Sequence, residues 1–245
     1  MLIVANWKAY VETRDKAKKL FAAAKRQKSK VSIVLAMPHP YIGMCVGGPK
    51  TKVQLAAQDV SASTTGAATG EVTASLLSEL GATYVIVGHS ERRAMGETDE
   101  LILEKVKRAL AHKLTPILCI GEAERDMDAH YLGHIRAQLA AVFSHLSQKE
   151  RLSMVVAYEP IWAIGKTAAD SIQPIDLEEM MLYIRKVLGD YLPGRSAQKL
   201  RVLYGGSTEA GNIRALAGGS GVDGFLVGHA SADVSSFTAL VKAVS

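Results

Sequence analysis

Glu159 closes one apolar run, VVAYE, and His89 closes another, YVIVGH. A carboxylate at the end of such a run is partly withheld from water and becomes a better base toward a carbon-bound proton. His89 opens a polar turn, Ser90-Glu91-Arg92-Arg93. If a helix begins there, its N-terminal N–H groups and dipole disfavour the imidazolium and leave a neutral ring that can donate to a substrate oxygen. Lys8 sits two residues beyond the first apolar run, with Asn6 at its end. Its ammonium can neutralise a phosphate or a developing oxyanion. Glycines recur at comparable positions, in Tyr204-Gly205-Gly206-Ser207, in Ala163-Ile164-Gly165 and at Gly228. Their backbone N–H groups suit an anion held at strand ends and helix starts. Taken singly, each signal has a plainer reading: a strand-end Glu in an ion pair, a structural His, a solvated Lys or Asn, and ordinary turn glycines. Their combination carries the weight.

The elements that must position these groups alternate along the chain. Strand-like apolar runs cover 2–6, 31–37, 53–58, 84–88, 115–119, 153–159, 200–205 and 222–228. They are continuous rather than alternating, as in parallel strands covered by helices on the outside. Between them, Ala17, Leu20, Phe21 and Ala24 repeat at helical spacing, as do Ile102, Val106, Ala109 and Leu110, and Leu177, Met181, Ile184 and Leu188. Pro174, with Asp176 nearby, starts the last of these helices. Eight strands alternating with about as many helices make either a closed parallel barrel or a long doubly wound sheet. No GxGxxG follows the first strand, which weakens a dinucleotide-binding sheet. In a barrel the chemistry gathers at the C-terminal ends of the strands, where the polar and titratable residues collect.

Bulk properties narrow the function classes. The 245 residues, 48% hydrophobic and 22% charged, suit one large α/β domain spanning 1–245. The net charge of +5 fits an anionic small substrate. The densest basic stretch, Lys16 to Lys30, lacks the aromatic platforms of a nucleic-acid site. No apolar run approaches the ~20 residues of a membrane span, and the opening MLIVANWKAY has too short a run for a signal peptide. Cys45 and Cys119 stand far apart, without disulfide or metal spacing, which fits a reducing cytoplasm.

The ordered motifs ANWK (5–8), AQDV (57–60), GAATGE (66–71), VIVGHSERR (85–93), CIGE (119–122), AYEPIWAIG (157–165), LYGGS (203–207) and VDGFLVG (222–228) resemble the triosephosphate isomerase family along essentially the whole chain. The resemblance implies a single (β/α)8 TIM barrel, eight parallel strands ringed by helices. It also implies interconversion of dihydroxyacetone phosphate and glyceraldehyde 3-phosphate through an enediolate, with no cofactor or metal. By the same resemblance Glu159 is the base, His89 the neutral electrophile, Lys8 the electrostatic partner and Asn6 its hydrogen-bonding neighbour. Glu91 supports Lys8, and Tyr204 is a further supporting residue. Gly165, Ser207, Gly228 and His229 hold the phosphate. A homodimer is implied, with Thr69 reaching the neighbour and Glu71 paired with Arg92 across the interface. Competing readings are another sugar-phosphate barrel enzyme and a non-catalytic phosphate-binding barrel.

Three departures from the family pattern stand out. WAIG runs directly into Lys166-Thr167-Ala168-Ala169-Asp170, a lid segment longer than usual, with Lys166 expected near its tip or hinge. His229 stands where glycine is usual; it keeps the backbone N–H, strains the turn or adds a ring donor to the phosphate. Ala68 replaces a common aromatic in the interface loop 61–71. At ~25 cal/mol per Å² the lost burial weakens a dimer by a few kcal/mol at most.

Overall fold

The structure is a computed structural model and describes residues 1–28, 30–45, 51–165 and 172–245. Lys166 and the lid segment to Asp170 lie outside the described residues.

Among the described residues eight strands form: β1 (Leu2–Asn6), β2 (Ser32–Met37), β3 (Gln54–Ala57), β4 (Tyr84–Val87), β5 (Thr115–Ile120), β6 (Val155–Tyr158), β7 (Arg201–Tyr204) and β8 (Gly224–Val227). They close in sequence order. Each pairs in parallel with its neighbours, and β8 returns to β1 with Leu2 opposite Gly224 and Ala5 opposite Val227. The closed barrel, not the doubly wound sheet, is therefore the architecture. Six of the eight expected runs exceed the observed strands, by one to three residues, because the flanking residues turn away to begin loops. Gly88, Glu159, Gly205 and Gly228 all fall just past their strands.

Side-chain alternation divides the core in two. Leu2, Val4, Val34, Ile86, Ile117 and Leu203 belong to the cluster inside the barrel. Ile3, Leu35, Val85, Leu118, Val156 and Val202 belong to the layer that meets the helices. Strands buried on both faces need apolar residues at every position, which is why the runs read as continuous.

Helices cover the outside. Thr13 caps Arg14–Arg26 by accepting from the Lys16 N–H, and that helix buries Ala17, Leu20, Ala23 and Ala24 while Phe21 is only half-buried. The helix Asp99–Ala111 buries Ile102, Val106 and Ala109 together with Lys105, whereas Leu110 is half-buried. Pro174–Gly189 begins at the expected proline and buries Leu177, Met181, Ile184 and Leu188. Among the described residues no helix is long and apolar enough to cross a membrane.

Candidate active site

The first turn carries strain. Lys8 has φ 44°, a left-handed conformation rare for a side chain with a Cβ. The Asn6 Oδ1 accepts from the Lys8 N–H at 3.1 Å. Gln58 Nε2 donates to the Lys8 carbonyl at 3.1 Å and to the Ala36 carbonyl at 3.0 Å. The turn is thus pinned from two sides, which aims the Lys8 ammonium at Glu91, 2.6 Å from its Oε1.

His89 leaves β4 and becomes the N-cap of the helix Ser90–Ala94. Its Nδ1 accepts from the Glu91 N–H at 3.2 Å. A nitrogen that accepts carries no proton, so the ring is held as the neutral tautomer with its hydrogen on Nε2. The helix start expected from the sequence is therefore present, and a specific hydrogen bond adds to the dipole.

Glu159 follows β6, 2% exposed. Its Oε1 lies 3.1 Å from His89 Nε2, and its Oε2 accepts from the Ser90 N–H at 3.0 Å. Two glycines make room for it. A Cβ on Gly121 would fall 1.9 Å from the Glu159 carbonyl oxygen, and one on Gly205 would fall 2.8 Å from Glu159 Cγ. Cys119 is buried below; burial first, and the Glu159 charge second, push its thiol well above the usual range. It stays a neutral packing group beside the carboxylate.

All of this opens on one cavity of about 310 Å³. Asn6, Lys8, His89, Glu159, Gly165, Ser207, Gly228 and His229 all line it. Every residue expected to act on or hold the substrate is therefore brought together. Glu91 touches the site through Lys8. Tyr204 ends β7, buried, its ring edge-on to Phe225. It underlies the glycine turn, since a Cβ on Gly206 would collide with its hydroxyl. His229 is absent from the residues of positive φ. The strain expected from replacing a glycine there does not arise, because His229 opens a short 3-10 turn with ordinary handedness.

The family model described as triosephosphate isomerase matches residues 1–244. The chain belongs to the triosephosphate isomerase family. A triosephosphate isomerase of Roseiflexus castenholzii is 41% identical over 253 aligned residues, covering 100% of this chain and 97% of the relative. One of Thermus thermophilus is 40% identical, covering 99% and 98%. One of Streptomyces coelicolor is 38% identical, covering 98% and 96%.

The residues tied by resemblance to the family's interface lie apart from this cavity. Thr69 and Glu71 are exposed on the loop 61–71. Glu71 and Arg92 line a second, open cavity of about 540 Å³. Within the chain Arg92 pairs with Glu97 at 2.7 Å and with Asp59 at 3.0 Å. Lys105, buried among them, bonds Asp59 at 2.7 Å and also Glu97.

Some functional neighbours escape the sequence. Glu122 accepts from Tyr158 Oη at 2.7 Å, from Trp162 Nε1 at 2.9 Å and from Arg125 Nε at 3.2 Å. The Arg125 guanidinium lies 5.0 Å from the Trp162 ring centre and 5.3 Å from that of Tyr131. This cluster anchors the Pro160-Ile161-Trp162 segment next to Glu159. A signal for Glu122 exists, since it closes CIGE just past a strand as Glu159 does. None exists for Arg125, an isolated cation in a polar loop. Among the described residues no three His, Cys, Asp or Glu side chains gather as a metal ion requires.

Proposed function

We propose that residues 1–245 act as one barrel domain that interconverts dihydroxyacetone phosphate and D-glyceraldehyde 3-phosphate, with Glu159 as base and His89 as electrophile. The Glu159 carboxylate takes a proton from the carbon beside the substrate carbonyl. Electron density moves onto the carbonyl oxygen and gives an enediolate. His89 Nε2–H donates to that oxygen, and the Lys8 ammonium, with Asn6 beside it, adds positive potential there. Glu159, now a carboxylic acid, returns the proton to the neighbouring carbon while a hydroxyl proton shifts between the two oxygens. Phosphate is held by the backbone of Gly165, Ser207, Gly228 and His229, which keeps the enediolate from losing it.

One observation carries this reading: a buried carboxylate 3.1 Å from a neutral Nε2–H at the wall of a cavity that Gly165, Gly205, Gly206 and Gly228 also line. The carboxylate must leave its present bonds to His89 and Ser90 and turn to the substrate, so both donors stand ready when it does. A coupled assay with glyceraldehyde 3-phosphate tests the activity. Glu159→Asp withdraws the base by about one bond length, and kcat should fall by about 10²-fold or more while the protein stays folded. Tight glycolate 2-phosphate binding with negligible turnover in the parent protein would instead make the barrel a binding protein.

The protein works as a homodimer in the cytoplasm. Thr69 on its exposed loop reaches the neighbour's site, and Glu71 pairs with the neighbour's copy of Arg92. The exposed, Ser- and Thr-rich loop and the open cavity beside Arg92 support this. Sedimentation at micromolar protein should give a dimer; an active monomer there would reject it.

A further inference from the structure

We propose that the side chains of Tyr10 and His229 form a pH-responsive anion clamp at the phosphate end of the cavity, with His229 as an additional ligand and Tyr10 as its positioning residue. This rests on the reading that the glycine-lined side of the cavity receives the phosphate.

Three groups converge on Gly228. The Lys8 stem lies against it, its Cε 3.4 Å from where a Cβ would stand. His229 follows directly, with an exposed imidazole on the cavity wall. Tyr10 comes from the loop after β1 and lines the same wall. The Tyr10 and His229 rings meet with centroids 5.4 Å apart and planes at 84°, a favoured edge-to-face arrangement. Tyr10 is itself held at both ends of its backbone. Its N–H donates to the Trp7 carbonyl at 3.1 Å, and its carbonyl accepts from Lys16 Nζ at 2.7 Å. An exposed histidine would ordinarily sample several rotamers; here the edge-to-face contact with Tyr10, whose backbone is anchored, restrains it.

A dianion at Gly228 would lie near the Lys8 ammonium, whose Nζ is 3.8 Å from where a Cβ would stand, and next to the imidazole of the following residue. A neutral imidazole donates from one ring nitrogen and a protonated one from both. A charge-assisted hydrogen bond is the stronger one. The charged and titratable groups around the ring are Lys8 and Tyr10 from the loop after β1, Lys16 from the helix Arg14–Arg26, Glu209 from the loop after β7, and His89 and Glu159, which line the same cavity. Asp233, beyond its own turn, is occupied in capping the next helix. The clamp adds a second side chain to an end of the site otherwise served by backbone amides and Lys8, and it makes affinity for the anion depend on pH.

Inorganic sulfate is the suitable probe, because it stays a dianion from pH 6 to 8.5 and needs no turnover. Its dissociation constant is measured calorimetrically at both pH values for the parent and each variant, with unfolding temperature as the folding check. His229→Gly should bind sulfate about five-fold more weakly than the parent at pH 6 and within about two-fold at pH 8.5, the scale of one partly exposed charged contact. His229→Gln keeps a donor without the charge and should lose the same pH-dependent part. Tyr10→Phe, which preserves the ring, should match the parent; Tyr10→Ala should lose part of the affinity at pH 6 only. Taking ratios to the parent cancels titration elsewhere. Equal variant-to-parent ratios at the two pH values would overturn the clamp, and an unaffected Tyr10→Ala would remove the positioning role. Sulfate results as expected in a protein that fails to isomerise triose phosphates would leave the clamp standing and reject the catalytic reading alone.

Discussion

Adding one methyl group at Gly205 should disable the base without unfolding the barrel. Gly205 has no left-handed backbone, so alanine meets no conformational penalty there. Its Cβ would sit 2.8 Å from Glu159 Cγ, whereas carbon atoms rest at ~3.5–4.0 Å. The side chain must therefore yield by roughly 0.7–1.2 Å. The methyl has no retreat, because the Tyr158 carbonyl oxygen already stands 3.4 Å away. Displacement on this scale breaks the paired contacts of Glu159 with His89 at 3.1 Å and with the Ser90 N–H at 3.0 Å. Misplacing a reacting group by about 1 Å costs about 10²-fold in rate, and local overpacking costs about 1–3 kcal/mol of stability. We expect Gly205→Ala to lower kcat by about two orders of magnitude, with little change in KM, because the phosphate-holding side of the cavity is untouched. The coupled isomerase assay and a thermal melt read both effects. A folded Gly205→Ala protein with the parent's kcat would refute the claim that Glu159 needs the space above this glycine.

Other perturbations follow from the same contacts. Glu97 is buried with Lys105 and also pairs with the partly exposed Arg92, so Glu97→Gln leaves two cations facing Asp59 alone and should cost about 3 kcal/mol in urea unfolding. Burial opposes the Glu97 charge, but the hydrogen bonds from Lys105 and Arg92 outweigh it and hold the carboxyl below its ordinary range. Its stabilisation is then complete above the unfolded value of ~4.3 and fades as pH falls through the lower folded one; Glu97→Gln should lack that part of the acid slope. At the last helix, hydrogen bonds from the Ser236 and Ser235 backbone and hydroxyls draw Asp233 down to about 2. Asp233→Ala should cost about 1 kcal/mol near neutrality, and the difference should vanish between about pH 4 and pH 2, where the cap protonates. Burial, against the opposing pull of Lys25, raises the Cys45 thiol to about 11, and Cys119 is fully enclosed; neither native thiol should react with iodoacetamide at pH 7.5 within minutes, while both should in denaturant. Rapid native labelling of Cys119 would mean that the floor beneath Glu159 opens.

Residue types in order were enough for the eight strands, the helices between them and the gathering of polar groups at one end. Continuous apolar runs and helical spacing are local properties, and burial on both faces of a parallel strand leaves that trace in any chain that adopts it. The choice between closed barrel and open sheet was not available locally, since it depends on Leu2 finding Gly224 across nearly the whole chain. The same limit applied to Lys105, which stands on a buried helix face as though misplaced until Asp59 and Glu97 arrive from elsewhere to pair with it. His89 was legible as a candidate; which of its nitrogens bears the proton depended on where the Glu91 N–H points. The meeting of Tyr10 with His229, and the fit of Glu159 over Gly121 and Gly205, likewise exist only once remote loops converge. Periodicity encodes what is buried, whereas hydrogen-bond direction and ångström-scale clearance are set by packing between segments that no local pattern relates.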